Sequence, residues 1–244
     1  MISTVYNNNK KITIIGTAHI SKKNKQQVKE IIEKETPDVV AIELDPQRFH
    51  SIINPNRKET KFKEIFRTSK PGLFMVYYFL SKYQRKIAEK YNISPGDEML
   101  QAINSAKKIN AKILLADRDA QLTIQKLLKT LNFWDKIKLF TSGFSIRKDV
   151  GKDFSVDTIL EEVEKKEESK KINKIMDSLM NKNKKLKKIL IDERNEFIAY
   201  NIQQAVKDPE VTSIVVVIGA GHVPGVIENL DNQHINIKKI LSLK

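Results

Sequence analysis

The sequence predicts an α/β fold, a mainly parallel central sheet flanked by helices and carrying a helical insertion. Three observations predict it. Four short runs, 12–15, 39–44, 113–116 and 214–218, are rich in β-branched or aliphatic residues and apolar almost without interruption, the pattern of strands covered on both faces. Stretches with helical periodicity separate them. Two of the runs end in glycine-led turns that carry a histidine.

Taken in order, the first run is followed by Ser21, placed to cap a helix in which Val28, Ile31 and Ile32 recur at helical spacing until Pro37 stops it. With the second run this makes a βαβ unit. Residues 73–93 form a further helix with an aromatic face of Phe74, Tyr77, Tyr78 and Tyr83. The next helix opens at Ser94, with Pro95 at its first position and Asp97 at its third; Met99, Ala102, Ile103 and Ala106 form its apolar face, and it leads into the third run. Asp119 then caps a helix carrying Leu122, Leu127, Leu128 and Leu131, and Trp134 starts another apolar stretch. Across 156–205, Ile159, Val163, Ile172, Ile175, Leu179, Leu186, Leu190 and Phe197 mark the stripes of two or three amphipathic helices, with 165–171 a solvated bend. No solenoid period is present. The expectation is one domain over 1–244, with helical segments at about 60–93 and 120–207.

Apolar residues make up 40% of the 244, enough for a sizeable core. Lys plus Arg number 44 against 30 Asp plus Glu, a net charge of +14 that opens nucleic acid or an anionic membrane as partner classes. The lysines are scattered among Glu, Asn and Ile, as on an ion-pair-rich surface, and no aromatic-basic or zinc-finger motif accompanies them. Nucleic acid therefore ranks below a surface role. The chain has no cysteine, which excludes disulfides, thiolate catalysis and Cys-ligated zinc. Any metal must sit on His and carboxylates. Met1 leads into Asn7-Asn8-Asn9-Lys10-Lys11 without the apolar core of a secretory signal, and the longest apolar run, 73–80, is far short of the ~20 residues a bilayer needs. The expected location is the cytoplasm or the cytoplasmic membrane, with membrane association only through segments outside this chain.

The chemistry gathers at the ends of the runs. Gly16-Thr17-Ala18-His19 follows the first and Gly219-Ala220-Gly221-His222 the last, each placing a histidine three residues after a glycine. Ligands of open parallel sheets bind at the carboxyl ends of strands, so both histidines are placed for that crevice. Glu43 and Asp45 leave the second run there, and Asp117, Arg118 and Asp119 the third. Leu190, Arg194, Phe197 and Asn201 share one helical face that is otherwise apolar, which directs Arg194 inward to a carboxylate: Glu43, Asp45, Asp117 or Glu98. Each residue also has a structural reading. Either histidine could cap a helix or bond a loop carbonyl, Glu43 could serve as an ion-pair partner of Arg48 or Arg194, and Glu98 suits the first turn of a helix. Gly219-Ala220-Gly221 lacks the third glycine and the acidic partner of a dinucleotide loop.

These residues resemble the TraB or pheromone-shutdown family, which is related to the Tiki proteins and remotely to erythromycin esterase-like and ChaN-like proteins. The resemblance rests on Gly16-Thr17-Ala18-His19, Val40-Ala41-Ile42-Glu43-Leu44-Asp45 with Arg48, Pro95-Gly96-Asp97-Glu98-Met99, Ala116-Asp117-Arg118-Asp119, Glu193-Arg194-Asn195 with Asn201, and Gly219-Ala220-Gly221-His222-Val223-Pro224-Gly225, in that order along most of the chain. It implies an α/β fold with paired Gly-x-x-His motifs and a carboxylate at the centre. In the Tiki branch it implies a divalent-metal-dependent peptidase, and among bacterial relatives the silencing of a peptide pheromone by degradation or sequestration. Archaeal proteins resembling this chain continue into hydrophobic C-terminal segments.

The leading expectation is a metal-dependent hydrolase acting on peptides. His19 and His222 hold a divalent ion, manganese, cobalt or zinc, with help from Glu43, and the ion lowers the pKa of its water toward ~7. Glu43 is the general base if it is not a ligand; Arg194 or Arg118 stabilises the oxyanion, and Glu98 completes the catalytic set. Gly16, Thr17, Asp45, Arg48, Asp117, Asn201, Gly219 and Gly221 are the expected substrate-binding positions. The alternatives are a non-catalytic module that sequesters a peptide and, behind it, a nucleic-acid binder. A homo-oligomer fits any of the three.

Overall fold

The computed structural model describes residues 1–17, 22–54, 96–130, 184–232 and 234–243. The expectations for His19, Ser21, Ser94, Pro95, Trp134, the aromatic helix at 73–93 and the stripes at 156–183 lie outside these residues. The chain divides into two compact units, Met1–Asp119 with Arg194–Ile240, and Ala120–Glu193 with Leu241–Lys244.

In the first unit five strands, β1 (Ile2–Asn7), β2 (Lys10–Thr17), β3 (Val39–Ile42), β4 (Lys112–Leu115) and β5 (Ser213–Gly219), form one sheet in the order β1-β2-β5-β3-β4. Only β1 runs antiparallel to its neighbour; β2, β5, β3 and β4 are parallel. The four expected runs are therefore strands, and the mainly parallel α/β sheet is observed. Its order departs from a simple βαβ neighbourhood, because β5 inserts between β2 and β3.

Alternation along the strands sorts the core into two layers. Val39, Ala41, Val216 and Ile218 pack with Ile198, Ala199, Ile202, Val223 and Val226 on one face. Val40, Ile42, Val215 and Val217 pack with Val28, Ile32, Met99, Ala102 and Ile103 on the other. Burial of each such Val or Ile contributes about 1.5–3 kcal/mol. The first face is covered by α6 (Glu193–Val206) and α7 (Val223–Leu230), the second by α1 (Lys22–Glu35) and α3 (Asp97–Lys108). The short α2 (Pro46–Ile53) leaves β3 under the cap of Asp45, whose Oδ1 accepts from the N–H groups of Gln47 and Arg48.

Two local expectations change. Within the described residues the helix placed after Ser94 begins at Asp97, with Gly96 at φ 94 as its N-cap. Strand β1 was not expected at all. It folds back on β2 through Asn8 and Asn9, at φ 48 and 61, the left-handed pair that a two-residue hairpin turn demands.

In the second unit the described residues between Ala120 and Glu193 are helical: α4 (Ala120–Thr130), α5 (Lys184–Lys187) and a π-helical turn over Lys188–Asp192. Lys126 Nζ and Glu193 Oε2, both buried, pair there at 2.6 Å. The final short helix, α8 (Ile237–Leu241), belongs to the first unit up to Ile240. No helix of the described residues is long and apolar enough to cross a membrane.

Candidate functional site

At the carboxyl ends of β3, β4 and β5 the sheet delivers Glu43, Asp117 and Gly219 into one cluster. Odd-numbered residues of β3 face α6 and α7, so Glu43, continuing that alternation past Ile42, leaves the sheet toward the same helices. It is 5% exposed. One carboxylate oxygen, Oε2, accepts the backbone N–H of Gly219 at 2.6 Å, and Oε1 accepts Arg194 Nη2 at 2.5 Å.

Arg194 joins two strand ends. Its Nε and Nη2 donate to the two oxygens of Asp117 at 3.0 and 2.7 Å, a fork on a carboxylate, while Nη2 also reaches Glu43. Burial alone would lower the pKa of this guanidinium; the hydrogen bond and charge of Asp117, and then Glu43, outweigh burial and hold it above the ordinary arginine value. The inward, carboxylate-paired Arg194 expected from the helical stripe is what the structure contains. The most deeply buried face of α6 lies one step round, on Asn195, Ile198, Ala199, Ile202 and Val206, and Leu190 and Phe197 are only partly buried.

His222 completes the cluster from the β5–α7 turn. The turn closes with His222 N–H donating to the Gly219 carbonyl at 2.9 Å, and Ala220 N–H ties it to the Thr17 carbonyl of β2 at 2.8 Å. The imidazole does not cap α7. Instead its Nδ1 lies 2.7 Å from Asn195 Oδ1, and its Nε2 lies 3.4 Å from Glu43 Oε1. Asn195 Oδ1 can only accept, so an Nδ1–H makes this contact, and Nε2 is turned toward the carboxylate. Asn195 was not among the expected site residues, although it is the residue that holds Nδ1. Two glycines make the packing possible. A Cβ on Gly225 would stand 2.0 Å from Asn195 Nδ2, and one on Gly16 would stand 2.8 Å from Val223 Cγ2, so α7 approaches both β2 and α6 only where side chains are missing.

The remaining expected residues spread outward from this centre. Arg48, largely exposed, reaches Asp117 at 3.4 Å and the Glu43 carbonyl at 3.5 Å. Thr17 Oγ1 donates to the Ile218 carbonyl at 3.3 Å, and Asn201 Nδ2 to the Ala116 carbonyl at 3.0 Å, fixing the ends of β5 and β4. Asp45 caps α2, and its Oδ2 is buried without a hydrogen-bond partner. Arg118 is 1% exposed and sends Nη1 to the Ile240 carbonyl of α8 at 3.3 Å. Glu98 is buried in the first turn of α3. Gly221 is exposed, with open space where a side chain would stand. His19 lies outside the described residues.

Among the described residues no three His, Asp or Glu side chains are grouped as a metal site would require. His222 and Glu43 do provide two donors at a suitable spacing: two ligands ~2.1 Å from one tetrahedral ion stand about 3.4 Å apart. Nδ1 anchoring by Asn195 is also the outer-shell arrangement of a metal-bound imidazole. The pair fits a divalent ion that takes its further protein ligands from elsewhere.

Residues 1–239 match the model of the TraB/PrgY/gumN family. Over 238 residues the chain is 32% identical to an uncharacterised protein of Methanocaldococcus jannaschii, covering 96% of this chain and 57% of that protein. It is 26% identical over 256 residues to the TraB domain-containing protein of Mus musculus and 25% to that of Homo sapiens, covering 96% of this chain and 66% of each relative. The chain thus spans less than two thirds of the length of these relatives.

Proposed function

The chain belongs to the TraB/PrgY/gumN family, and on that premise we propose that it is a metal-dependent hydrolase acting on peptides, with Glu43 and His222 at its centre. One observation carries the reading: the His222 ring, with Nδ1 2.7 Å from Asn195 Oδ1, sets its Nε2 3.4 Å from the Glu43 carboxylate. Two electron-rich groups so placed call for a proton or a cation between them.

Glu43 is held by donors on both oxygens, which fixes its plane. It acts either as a ligand or as the base that takes a proton from the attacking water. Arg194, anchored on Asp117, keeps that carboxylate in place and presents positive charge where an oxyanion develops. His222, Glu43 and His19 would hold the divalent ion, which when bound supplies Lewis acidity and a more acidic water. Asp45, Arg48 and Asn201 are proposed to contribute to peptide binding.

The test is Glu43→Gln, which keeps the shape and removes the charge. Purified protein and variant are incubated with a peptide library with and without added manganese, cobalt or zinc, while metal content and thermal melting are followed in parallel. The expected result is turnover reduced by roughly two or more orders of magnitude in a folded variant. Stoichiometric peptide binding without turnover by the unsubstituted protein, with every metal, overturns the enzyme reading in favour of sequestration.

A further inference from the structure

Among the described residues strand β1 ends the sheet, and its ladder to β2 determines what it offers on the other side. Gly16 N–H donates to the Met1 carbonyl at 2.8 Å and the Met1 amino group to the Gly16 carbonyl at 3.2 Å, making these two a hydrogen-bonded pair. From that register Ser3 and Val5 are bonded to Ile14 and Ile12. The N–H and C=O groups of Ile2, Thr4 and Tyr6 therefore point away from the sheet. Their side chains are exposed as well. Met1, Ile2 and Tyr6, at 62%, 47% and 69% exposure, are three of the five exposed large hydrophobics of the described residues.

Nothing in this strand blunts the edge. Ile2–Asn7 contains no proline, no glycine and no charge, in a chain whose residues are 30% charged. The lysines at the far end of the hairpin are engaged within their own chain, Lys10 on the Asp208 carbonyl and Lys11 on Glu35 at 2.9 Å.

We propose that β1 pairs antiparallel with β1 of a second copy of this chain, about a two-fold axis at Thr4, joining two five-stranded sheets into one. Centred there, the pairing sets Thr4 against Thr4 and Ile2 against Tyr6 twice, all on one face. It satisfies the outward N–H and C=O of Ile2, Thr4 and Tyr6 in both copies. The occupant is a second copy because the strand complements itself at this register: its uncharged length overlaps fully, exposed Ile2 meets exposed Tyr6 on both sides of the axis, and Lys10 and Lys11 stay bound to their own chain. The interface is isologous, so the assembly closes at a dimer.

The geometry supplies its own test. Thr4 N–H lies outside the β1–β2 ladder, so Thr4→Pro removes an outward donor and leaves the intramolecular ladder intact. Thr4→Lys sets two like charges opposite each other at the axis. Sedimentation of the full chain across a concentration series is expected to show a dimer, with dissociation constants raised about tenfold or more in both variants at nearly unchanged melting temperature. Hydrogen exchange in the unsubstituted protein should slow at Ile2, Thr4 and Tyr6 as concentration rises, while Ser3 and Val5 stay protected in every sample. A monomer at all concentrations, or variants that dimerise as strongly as the parent, overturns the proposal; should Thr4→Pro fail to fold, Thr4→Lys decides alone.

Discussion

Strand β3 has a carboxylate at each end, and both clamp β5. At the amino end Asp38 Oδ2 accepts Thr212 N–H at 2.7 Å, Thr212 Oγ1 at 2.8 Å and Ser213 N–H at 3.0 Å. At the carboxyl end Glu43 Oε2 accepts Gly219 N–H at 2.6 Å. The surroundings separate them. Asp38 sits near solvent among exposed pairs such as Lys112–Asp208 at 3.4 Å, whereas Glu43 is 5% exposed and shares Arg194 with an equally buried Asp117. Surface pairs contribute about 0–1 kcal/mol, while removing one partner of a buried set costs about 3–5 kcal/mol. The same functional group, a carboxylate, therefore fastens the sheet at one edge and stores a costly charge arrangement at the other.

The largest effect that can break this contrast is Arg194→Met. Glu43 and Asp117 would remain buried, with Gly219 N–H, Arg118 N–H, Arg48 and the His222 ring among their remaining neighbours. The expected loss is about 3 kcal/mol or more in urea unfolding at unchanged denaturant slope. A loss below 1 kcal/mol would mean that the carboxyl edge is no more charge-stressed than the amino edge.

A smaller effect sharpens it. Gly225→Ala puts a methyl carbon 2.0 Å from Asn195 Nδ2, so Asn195 must move and His222 loses its anchor. Overpacking of this kind costs about 1–3 kcal/mol. The nitrogen-15 shifts of the His222 ring should change from a single Nδ1–H tautomer to a mixture. An unchanged tautomer would show that the ring is held by something other than Asn195.

What the sequence disclosed follows the same division. The buried strands were legible because apolar runs register burial on both faces, and the cluster was legible because glycine turns and carboxylates end those runs. Strand order was not, since β2, β3 and β5 carry the same pattern and only tertiary packing decides that β5 lies between the others. Strand β1 was missed because its alternation is that of a half-covered edge, yet Asn8-Asn9 carried a usable hairpin signal. Asn195 was missed by one position: the helical stripe argument applied to Arg194 applies equally to a polar residue at spacing three, four and seven from Ile198, Ala199 and Ile202. Gly225 could not have been found, because its role is the space a side chain on another helix occupies.

The smallest expected effect belongs to Asp38. Hydrogen bonds from the Thr212 and Ser213 backbones and the Thr212 hydroxyl hold its pKa below the ordinary aspartate value of 3.8. A depressed folded pKa means that the ionised clamp contributes its full stability above the unfolded value and loses it as pH falls through the folded one. Asp38→Ala should therefore lower stability by about 1 kcal/mol at pH 7, on the scale of one net hydrogen bond. The gap between variant and parent should hold at pH 5 and shrink once pH falls below about 4, where Asp38 begins to protonate. Thermal unfolding of both proteins at several pH values reads this directly. A gap that stays constant down to pH 2 would make the amino-end clamp a packing contact rather than a charged one, and the two ends of β3 would then differ in kind as well as in burial.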